Sequence, residues 1–199
     1  AADTLGLQYE MVIHVTEKDN TITRLMASRE AVDNFVAAVV AESQYYHGVN
    51  LDFEGLGLGN DYLTERQMFT ALVSHLHSAL QPAGKTLTLT LHAPNSSYRG
   101  YDYAALGAMA DRIIVMAYDY GPRPEPDHMV IQAVETAVRE VPKDKLILGI
   151  SLPSETAESL AKRIGIAKKY GLNGIALWRL GLVGEQHWQV IRAAILPRS

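Results

Sequence analysis

Short apolar runs alternate with longer amphipathic runs along most of this chain. Strands separated by helix-length segments are joined by crossovers and run parallel, so the alternation predicts an α/β fold. The short runs predict strands at Leu7–Val15, Gly48–Phe53, Thr86–His92, Arg112–Tyr118, Leu146–Leu152 and Gly174–Trp178. The longer runs predict helices at Arg29–Tyr46, Glu65–Leu80, Val130–Val141, Glu155–Tyr170 and Glu185–Ile195. Thr64, with Gln67 three residues later, predicts a capping box at the start of the second helix.

Two α/β architectures fit this order of elements, an open doubly wound sheet and a closed (β/α)8 barrel. Strands of an open parallel sheet are usually apolar on both faces. In Thr86–His92, however, threonines alternate with leucines, and in Gly174–Trp178 two small residues share a face with the tryptophan. Both patterns favour a barrel interior. Six strand–helix units are two fewer than a complete TIM-type barrel has, and 199 residues is short for that fold.

Composition excludes several classes of function. The net charge is −4, the sequence pI is about 6.0 and no basic stripe is visible, which argues against a nucleic-acid partner. The absence of cysteine excludes disulfides and thiolate metal sites. No apolar run reaches the roughly 18 residues of a membrane span, so no membrane partner is expected. No signal peptide opens the sequence, and its first residues are typical of a processed protein or an excised domain.

The histidines do not predict a metal site. His75 and His77 lie two residues apart on a predicted helix, where they face different directions. The others, His14, His47, His92, His128 and His187, show no ligand spacing either. We therefore expect no metal and no organic cofactor.

The segment His47–Glu54 carries the strongest chemical signal. In a strand, side chains two residues apart share a face at about 6.6 Å, so Asn50, Asp52 and Glu54 lie in a row. A nearby negative charge raises the pKa of a carboxyl, which lets one acid stay protonated near neutral pH, as a general acid requires. A hydrogen-bonded acidic strand end without a catalytic role has the same pattern. The spacing alone leaves both interpretations open.

This strand resembles the signature of glycoside hydrolase family 18, whose usual form is Asp-Gly-x-Asp-x-Asp-x-Glu, with His47 and Asn50 at the first two aspartate positions. Three other segments resemble family strands in the same order, so the resemblance covers about residues 7 to 195: Met116–Tyr120, Leu146–Pro153 and Gly174–Gly181. The residues at the end of His47–Glu54 and in Gly174–Gly181 are most similar to those of the bacterial branch of spore-cortex and cell-wall N-acetylglucosaminidases.

The resemblance implies a TIM-type (β/α)8 barrel, of which this chain supplies about six units, family strands 3 to 8. Residues 1–199 are then a single domain that lacks the first two units. Either an N-terminal portion is omitted or a second chain completes the barrel. The short passage from Pro153 to Leu160 leaves no room for the insertion domain of many chitinases, so a shallow, open groove is expected.

The resemblance also implies retaining, substrate-assisted hydrolysis of β-1,4 bonds at N-acetylglucosamine in peptidoglycan or chitin-like glycans, an exception to the two-carboxylate scheme. Glu54 would be the acid and then the base, and Asp52 would orient the acetamido group. Asn50 would hydrogen-bond Asp52, and Tyr118 would bind the acetamido carbonyl. An ordinary buried tyrosine is the alternative for Tyr118. Extracellular, cell-envelope or spore coat and cortex localisation follows from such a substrate.

Further substrate contacts are expected at Met116 and Asp119, and Trp178 would form an apolar floor beneath the sugar ring. A core tryptophan is the alternative for Trp178. His92 and Asn95 are either subsite contacts or solvated loop residues, and Arg179 is left out of the site because it follows Trp178 on the opposite face. The competing functions are a catalytically inactive chitinase-like carbohydrate-binding protein and an unrelated α/β enzyme.

Overall fold

The structure, a computed structural model, describes residues 5–195. The described chain divides into two compact units, the first ending at Ile113 and the second beginning at Ile114, with strand β4 across the boundary. The strands are β1 (Glu10–Thr16), β2 (Gly48–Glu54), β3 (Thr86–His92), β4 (Arg112–Met116), β5 (Leu146–Ser151) and β6 (Gly174–Trp178). The α-helices are α1 (Thr21–Ala27), α2 (Arg29–Glu42), α3 (Tyr62–Leu80), α4 (Tyr103–Met109), α5 (Asp127–Glu140), α6 (Ala157–Tyr170) and α7 (Glu185–Ala194).

The first unit is built on parallel pairing of β1 with β2 and of β2 with β3. One face of β2 is apolar, with Val49, Leu51 and Phe53 almost completely buried. The ring of Phe53 packs against Phe35 of α2 and Phe69 of α3, at centroid distances of 5.8 and 6.3 Å. Helix packing on this face directs the alternate residues of β2 to the other face.

That other face of the first unit is polar, as the alternation in Thr86–His92 predicts. Thr90 donates a hydrogen bond to the side-chain oxygen of Asn50 at 2.9 Å. Towards the other end of the strands, Thr88 and Arg112 both donate to the carboxylate of Glu10, at 2.7 and 2.6 Å. Thr90, Thr88 and Arg112 thus find hydrogen-bond partners on this face, which offsets the cost of removing them from water.

The second unit contains the parallel pair β5 and β6, in which Ser151 lies opposite Trp178. Helix α6 begins with a capping box between Thr156 and Ser159. Arg163 of α6 is 2% exposed and forms ion pairs with Glu155 at 2.8 Å and Asp127 at 2.6 Å. A buried cation with these partners joins α6 to the start of α5.

Several predicted boundaries need correction. The first strand begins at Glu10 instead of Leu7, and β4 ends at Met116, so Tyr118 follows the strand. The predicted capping box at Thr64 is wrong, because α3 already begins at Tyr62 and Thr64 instead donates a hydrogen bond to the carboxylate of Asp61 at 2.7 Å. The other predicted helices are each present with ends shifted by a few residues.

Helices α1 and α4 were not predicted. Each has seven residues, about two turns, which is too short for a clear amphipathic period. Within residues 5–195, none of the helices combines the length and apolar character that crossing a membrane would require.

Candidate active site

Asp52 and Glu54 lie on the polar face at the carboxyl end of β2, as the strand period predicts. Asp52 is 7% exposed, and its Oδ1 has no hydrogen-bond partner among the described residues. Burial and, to a smaller extent, the charge of Glu54 raise the pKa of Asp52 to about 6, and the charge of His14 opposes this rise. The sequence predicts a raised pKa for one carboxyl of this pair, and in the structure that carboxyl is Asp52.

Tyr101 holds the end of β2 in position. Its hydroxyl donates to the carbonyl of Phe53 at 2.8 Å and accepts from the amide of Leu56 at 3.3 Å, so it bridges the backbone on both sides of Glu54. The carbonyl of Glu54 itself accepts from the amide of Glu17 at 2.8 Å. These bonds fix the backbone that carries Glu54. Sequence reasoning missed Tyr101 because it lies in a loop 47 residues away with no motif around it.

The loop that follows Glu54 is packed tightly against the loop after β3. Gly57 has a positive φ of 81°, and a Cβ at this position would lie 2.0 Å from the amide nitrogen of Gly100. The amide of Gly57 donates to the carboxylate of Glu65 on α3 at 2.6 Å. Only glycine permits this backbone approach, which sets the direction in which the chain leaves the acidic strand.

Asn50 does not supply the missing partner of Asp52 Oδ1. Its side-chain oxygen accepts a hydrogen bond from Thr90, so Asn50 is anchored to β3. The pairing of β2 with β3 brings Thr90 within reach of this oxygen. A hydrogen bond from the amide nitrogen of Asn50 to Asp52 stays a prediction.

His14 is a site residue that sequence reasoning missed. It pairs with Asp52 in the register of β1 and β2, and its Nε2 lies 3.3 Å from Oε1 of Glu54. His14, Asp52 and Glu54 each offer a ligand atom within 4.8 Å of the others, so the three side chains lie close enough together to contact one metal ion. Sequence spacing gives no warning of this, because 38 residues separate His14 from Asp52.

His92 and Asn95 lie at and after the end of β3. The ring of His92 stacks on Tyr98 with centroids 3.9 Å apart, and its carbonyl accepts from Tyr103. Burial lowers the pKa of His92 to about 4, so the ring is neutral at pH 7. His92 is thus a packed, uncharged aromatic surface beside the strand end.

In the second unit, Met116 is buried at the end of β4 and Tyr118 follows it in a loop. The ring of Tyr118 lies over Gly149 of β5, where a Cβ would be 3.3 Å from Cε1 of the tyrosine. Asp119 is exposed and has a positive φ of 62°. Glu125 is almost fully buried, and its carboxylate accepts from the amides of Asp119 and Tyr120, each at 3.0 Å. This carboxylate shapes the loop that carries Tyr118 and Asp119.

Trp178 is the last residue of β6 and is 55% exposed, an unusual exposure for a tryptophan. Its peptide bond to Arg179 is cis. The ring therefore has a free face at the carboxyl end of a parallel strand, as a sugar-stacking role needs.

The first unit thus brings Asn50, Asp52, Glu54 and the unpredicted His14 together, and it also carries His92 and Asn95. The second unit carries Met116, Tyr118, Asp119 and Trp178. All the predicted residues lie at or near the carboxyl ends of parallel strands, where TIM-type proteins build their active sites. A TIM-type α/β fold with two carboxylates at the end of one strand is typical of glycoside hydrolases. The sequence model of Glycosyl hydrolases family 18 matches residues 16–154, and the chain belongs to that family.

Individual relatives agree with this assignment. The Bacillus subtilis protein YdhD, whose name describes a sporulation-specific glycosylase, is 32% identical over 117 residues, covering 54% of this chain and 27% of its own. The spore cortex-lytic enzyme SleL of Bacillus megaterium has a TM-score of 0.83 at 19% identity, covering 98% of this chain and 61% of its own. A chitinase from Chromobacterium violaceum has a TM-score of 0.85 at 20% identity, covering 99% and 83% respectively. These matches confirm the TIM-type α/β fold and the resemblance to the spore-cortex branch.

Proposed function

We propose that this chain carries out retaining, substrate-assisted hydrolysis of β-1,4 bonds at N-acetylglucosamine residues in peptidoglycan or chitin-like glycans. The observation that carries the proposal is the pair Asp52 and Glu54 at the end of β2, in a chain of family 18, with the pKa of Asp52 raised to about 6. Two carboxyls two residues apart on one face can divide the work at a glycosidic bond, one as the proton donor and the other as the group that stabilises positive charge. The charge of Glu54 contributes to the raised pKa of Asp52, so the two carboxyls interact electrostatically.

In this mechanism Glu54 protonates the departing oxygen and later accepts a proton from water. Its partly exposed carboxyl can be reached by a glycan, whereas the carboxyl of Asp52 is buried behind it. Asp52 accepts the acetamido N–H and stabilises the positive charge of the oxazolinium intermediate. The Oδ1 atom without a hydrogen-bond partner is available for this contact. The substrate's own acetamido oxygen supplies the nucleophile, which gives retention.

The second unit supplies the substrate contacts of the proposal. Tyr118 donates its hydroxyl to the acetamido carbonyl, and Asp119 binds a sugar hydroxyl. Trp178 packs its ring against the C–H face of the sugar, which buries apolar surface and leaves equatorial hydroxyls free. Met116 lines the apolar base of the pocket, and Asn50 holds the polar face of β2 through Thr90.

The proposed substrate is the acetamido-sugar polysaccharide of the cell envelope or spore cortex. The names of YdhD and SleL support a sporulation-related glycan, and the chitinase leaves chitin as the other candidate. The chain spans 27% of YdhD and 61% of the SleL chain, so the activity of those whole proteins is carried over here as part of the proposal. We further propose one barrel domain, completed by strands that pair with the outer edge of β1 and come from the same polypeptide or a second chain.

Glu54→Gln tests the proposed mechanism. The variant keeps the shape of the side chain and removes the transferable proton, so release of reducing ends from spore-cortex peptidoglycan and from chitin oligomers falls by about 10²–10⁴-fold. Glu42→Gln, in an exposed position at the end of α2, is the matched control and keeps wild-type activity. Mass spectrometry of the products distinguishes the two substrates. A fully active Glu54→Gln variant contradicts the mechanism, and a wild-type chain that binds every acetamido glycan without cleaving it supports the carbohydrate-binding alternative.

A further inference from the structure

We propose that His14, Asp52 and Glu54 form a binding site for a divalent transition-metal ion of the Zn²⁺ class. No sequence motif connects His14 to Asp52 and Glu54, and the family mechanism that we propose does not use His14. The inference rests on the juxtaposition of an imidazole with two carboxylates on the polar face of β1 and β2.

Strand register creates the three-residue arrangement. His14 lies directly opposite Asp52 on the neighbouring parallel strand, and Glu54 follows two residues later on the same face. Zinc ligands about 2.0–2.1 Å from the ion at tetrahedral angles lie about 3.3 Å apart. The observed distance between Nε2 of His14 and Oε1 of Glu54 is 3.3 Å. The third ligand atom, from Asp52, lies within 4.8 Å of both and needs only a small side-chain movement to complete the set.

The buried state of Asp52 independently indicates a ligand. The residue is 93% buried, since 7% is exposed, and its Oδ1 has no hydrogen-bond partner among the described residues. The side-chain oxygen of Asn50, the next polar residue along the face, is engaged by Thr90. Across residues 5–195, no lysine or arginine forms an ion pair with Asp52 or Glu54. A buried carboxylate oxygen without a partner is costly, and a bound cation removes that cost.

The ligand chemistry selects the class of cation. Ca²⁺ and Mg²⁺ prefer six or more oxygen ligands, whereas an imidazole with two carboxylates suits Zn²⁺ and related first-row ions. Three protein ligands leave one position of a tetrahedron for water, as in metal sites open to solvent. The side chain of His14 is half exposed, so an ion can enter from solvent.

If the proposed function holds, a metal ion bound at His14, Asp52 and Glu54 would block hydrolysis. The ion would hold both carboxyls in their charged form, and Glu54 could then neither donate a proton nor turn towards a glycosidic oxygen. Zn²⁺ is therefore a reversible inhibitor of hydrolysis, and a chelator restores activity. Binding itself does not depend on the enzyme being active.

The test is calorimetric titration of ZnCl₂ into the chain without substrate. We compare the wild type with His14→Ala and with His75→Ala as the matched control. His75 is the other histidine near a carboxylate, with its Nδ1 3.6 Å from Asp33, and both side chains there are largely exposed. We expect one Zn²⁺ per chain in the wild type, binding at least tenfold weaker in His14→Ala, and unchanged affinity in His75→Ala. Far-UV circular dichroism checks that each variant is folded.

The proposed site is overturned if His14→Ala binds Zn²⁺ as tightly as the wild type does. It is also overturned if His14→Ala and His75→Ala weaken Zn²⁺ binding by the same factor. The absence of stoichiometric binding to the wild type does so too. A second variant keeps the test valid if His14→Ala does not fold. Glu54→Gln removes a carboxylate ligand from the same site, so it must also weaken Zn²⁺ binding. An inactive chain that still binds one Zn²⁺ through His14 overturns the proposed function and leaves the metal site standing.

Discussion

The hydroxyl of Tyr101 lies 2.8 Å from the carbonyl oxygen of Phe53, the residue immediately before Glu54. The same hydroxyl accepts from the amide of Leu56, so a single buried phenol ties together both sides of the strand end. Burial raises the pKa of Tyr101 above its ordinary range, which keeps the hydroxyl protonated at every pH of interest. The position of the proposed acid therefore depends on a residue from a distant loop.

Tyr101→Phe removes this bridge while keeping the ring in the core. Because the carbonyl of Phe53 and the amide of Leu56 lose a buried partner, we expect the free energy of unfolding to fall by about 1–3 kcal/mol. The turnover number should fall more than the Michaelis constant rises, since the bridge positions Glu54 and does not touch the glycan. Urea denaturation and steady-state kinetics measure these effects. Tyr45→Phe, at an exposed tyrosine, is the control, and equal stability of the two variants would contradict the assigned role.

Gly149→Ala tests how closely Tyr118 approaches β5. The added Cβ would lie 3.3 Å from Cε1 of Tyr118 and 2.8 Å from the carbonyl oxygen of Val115, so the ring or the strand must move. We expect a loss of about 1–3 kcal/mol in unfolding free energy together with lower activity. Gly165→Ala is the control, because no atom lies within 4 Å of its added Cβ on α6. That change should stabilise the chain by about 0.5–1 kcal/mol.

Asp52→Asn tests the cost of the buried charge. The folded-state pKa of about 6 lies above the unfolded value, so the folded state binds this proton more tightly. That contribution to stability is fully present below about pH 4 and is lost as the pH rises through 6. Asparagine carries no charge at any pH. As the pH rises from 4 to 7, the free energy of unfolding of Asp52→Asn should therefore increase relative to that of the wild type, by up to roughly 3 kcal/mol.

Urea denaturation at several pH values measures this difference. Asp144→Asn, at an exposed position, controls for the loss of one negative charge. A difference between Asp52→Asn and wild type that stays constant from pH 4 to 7 would show that the charge of Asp52 is already compensated in the folded chain.

Glu125→Gln tests the loop that carries Tyr118. In the amide, an NH2 group takes the place of one of the two oxygens that accept separately from the backbone amides of Asp119 and Tyr120, so one of these two hydrogen bonds is lost. A hydrogen bond to a charged group contributes about 1.5–3 kcal/mol, and we expect a loss of stability of up to that size and reduced activity. Glu140→Gln, at the exposed end of α5, is the control. Thermal unfolding of the two variants side by side decides the outcome, and identical midpoints would contradict the prediction.

Trp178→Ala tests the proposed sugar floor. Because the ring is largely exposed, its loss should leave the stability almost unchanged while weakening binding to N-acetylglucosamine oligomers about three- to tenfold, as expected for one aromatic contact. Trp188→Ala, at the less exposed tryptophan on α7, is the control. Binding is measured by calorimetry in the Glu54→Gln background, which prevents turnover. Unchanged affinity in Trp178→Ala would place the ring outside the site.

Local patterns in the sequence were sufficient for the parallel α/β fold and for the acidic pair. A strand repeats every two residues, so the order Asn50, Asp52, Glu54 already places these side chains on one face, with their apolar neighbours towards the helices. Loop positions were less predictable. Tyr118 was assigned to a strand that ends at Met116, because Ala117 and Tyr118 continue the apolar run and the first turn residues come after them.

The sequence by itself determined the repeating strand–helix order and the composition of the acidic face, because both follow from periodicities of neighbouring residues. Only the tertiary structure decided which residues surround that face. The register of β1 against β2 brings His14 beside Glu54, and packing of a distant loop brings Tyr101 beneath it. Contacts between residues tens of positions apart depend on strand pairing and loop packing, and no periodicity along the chain encodes them.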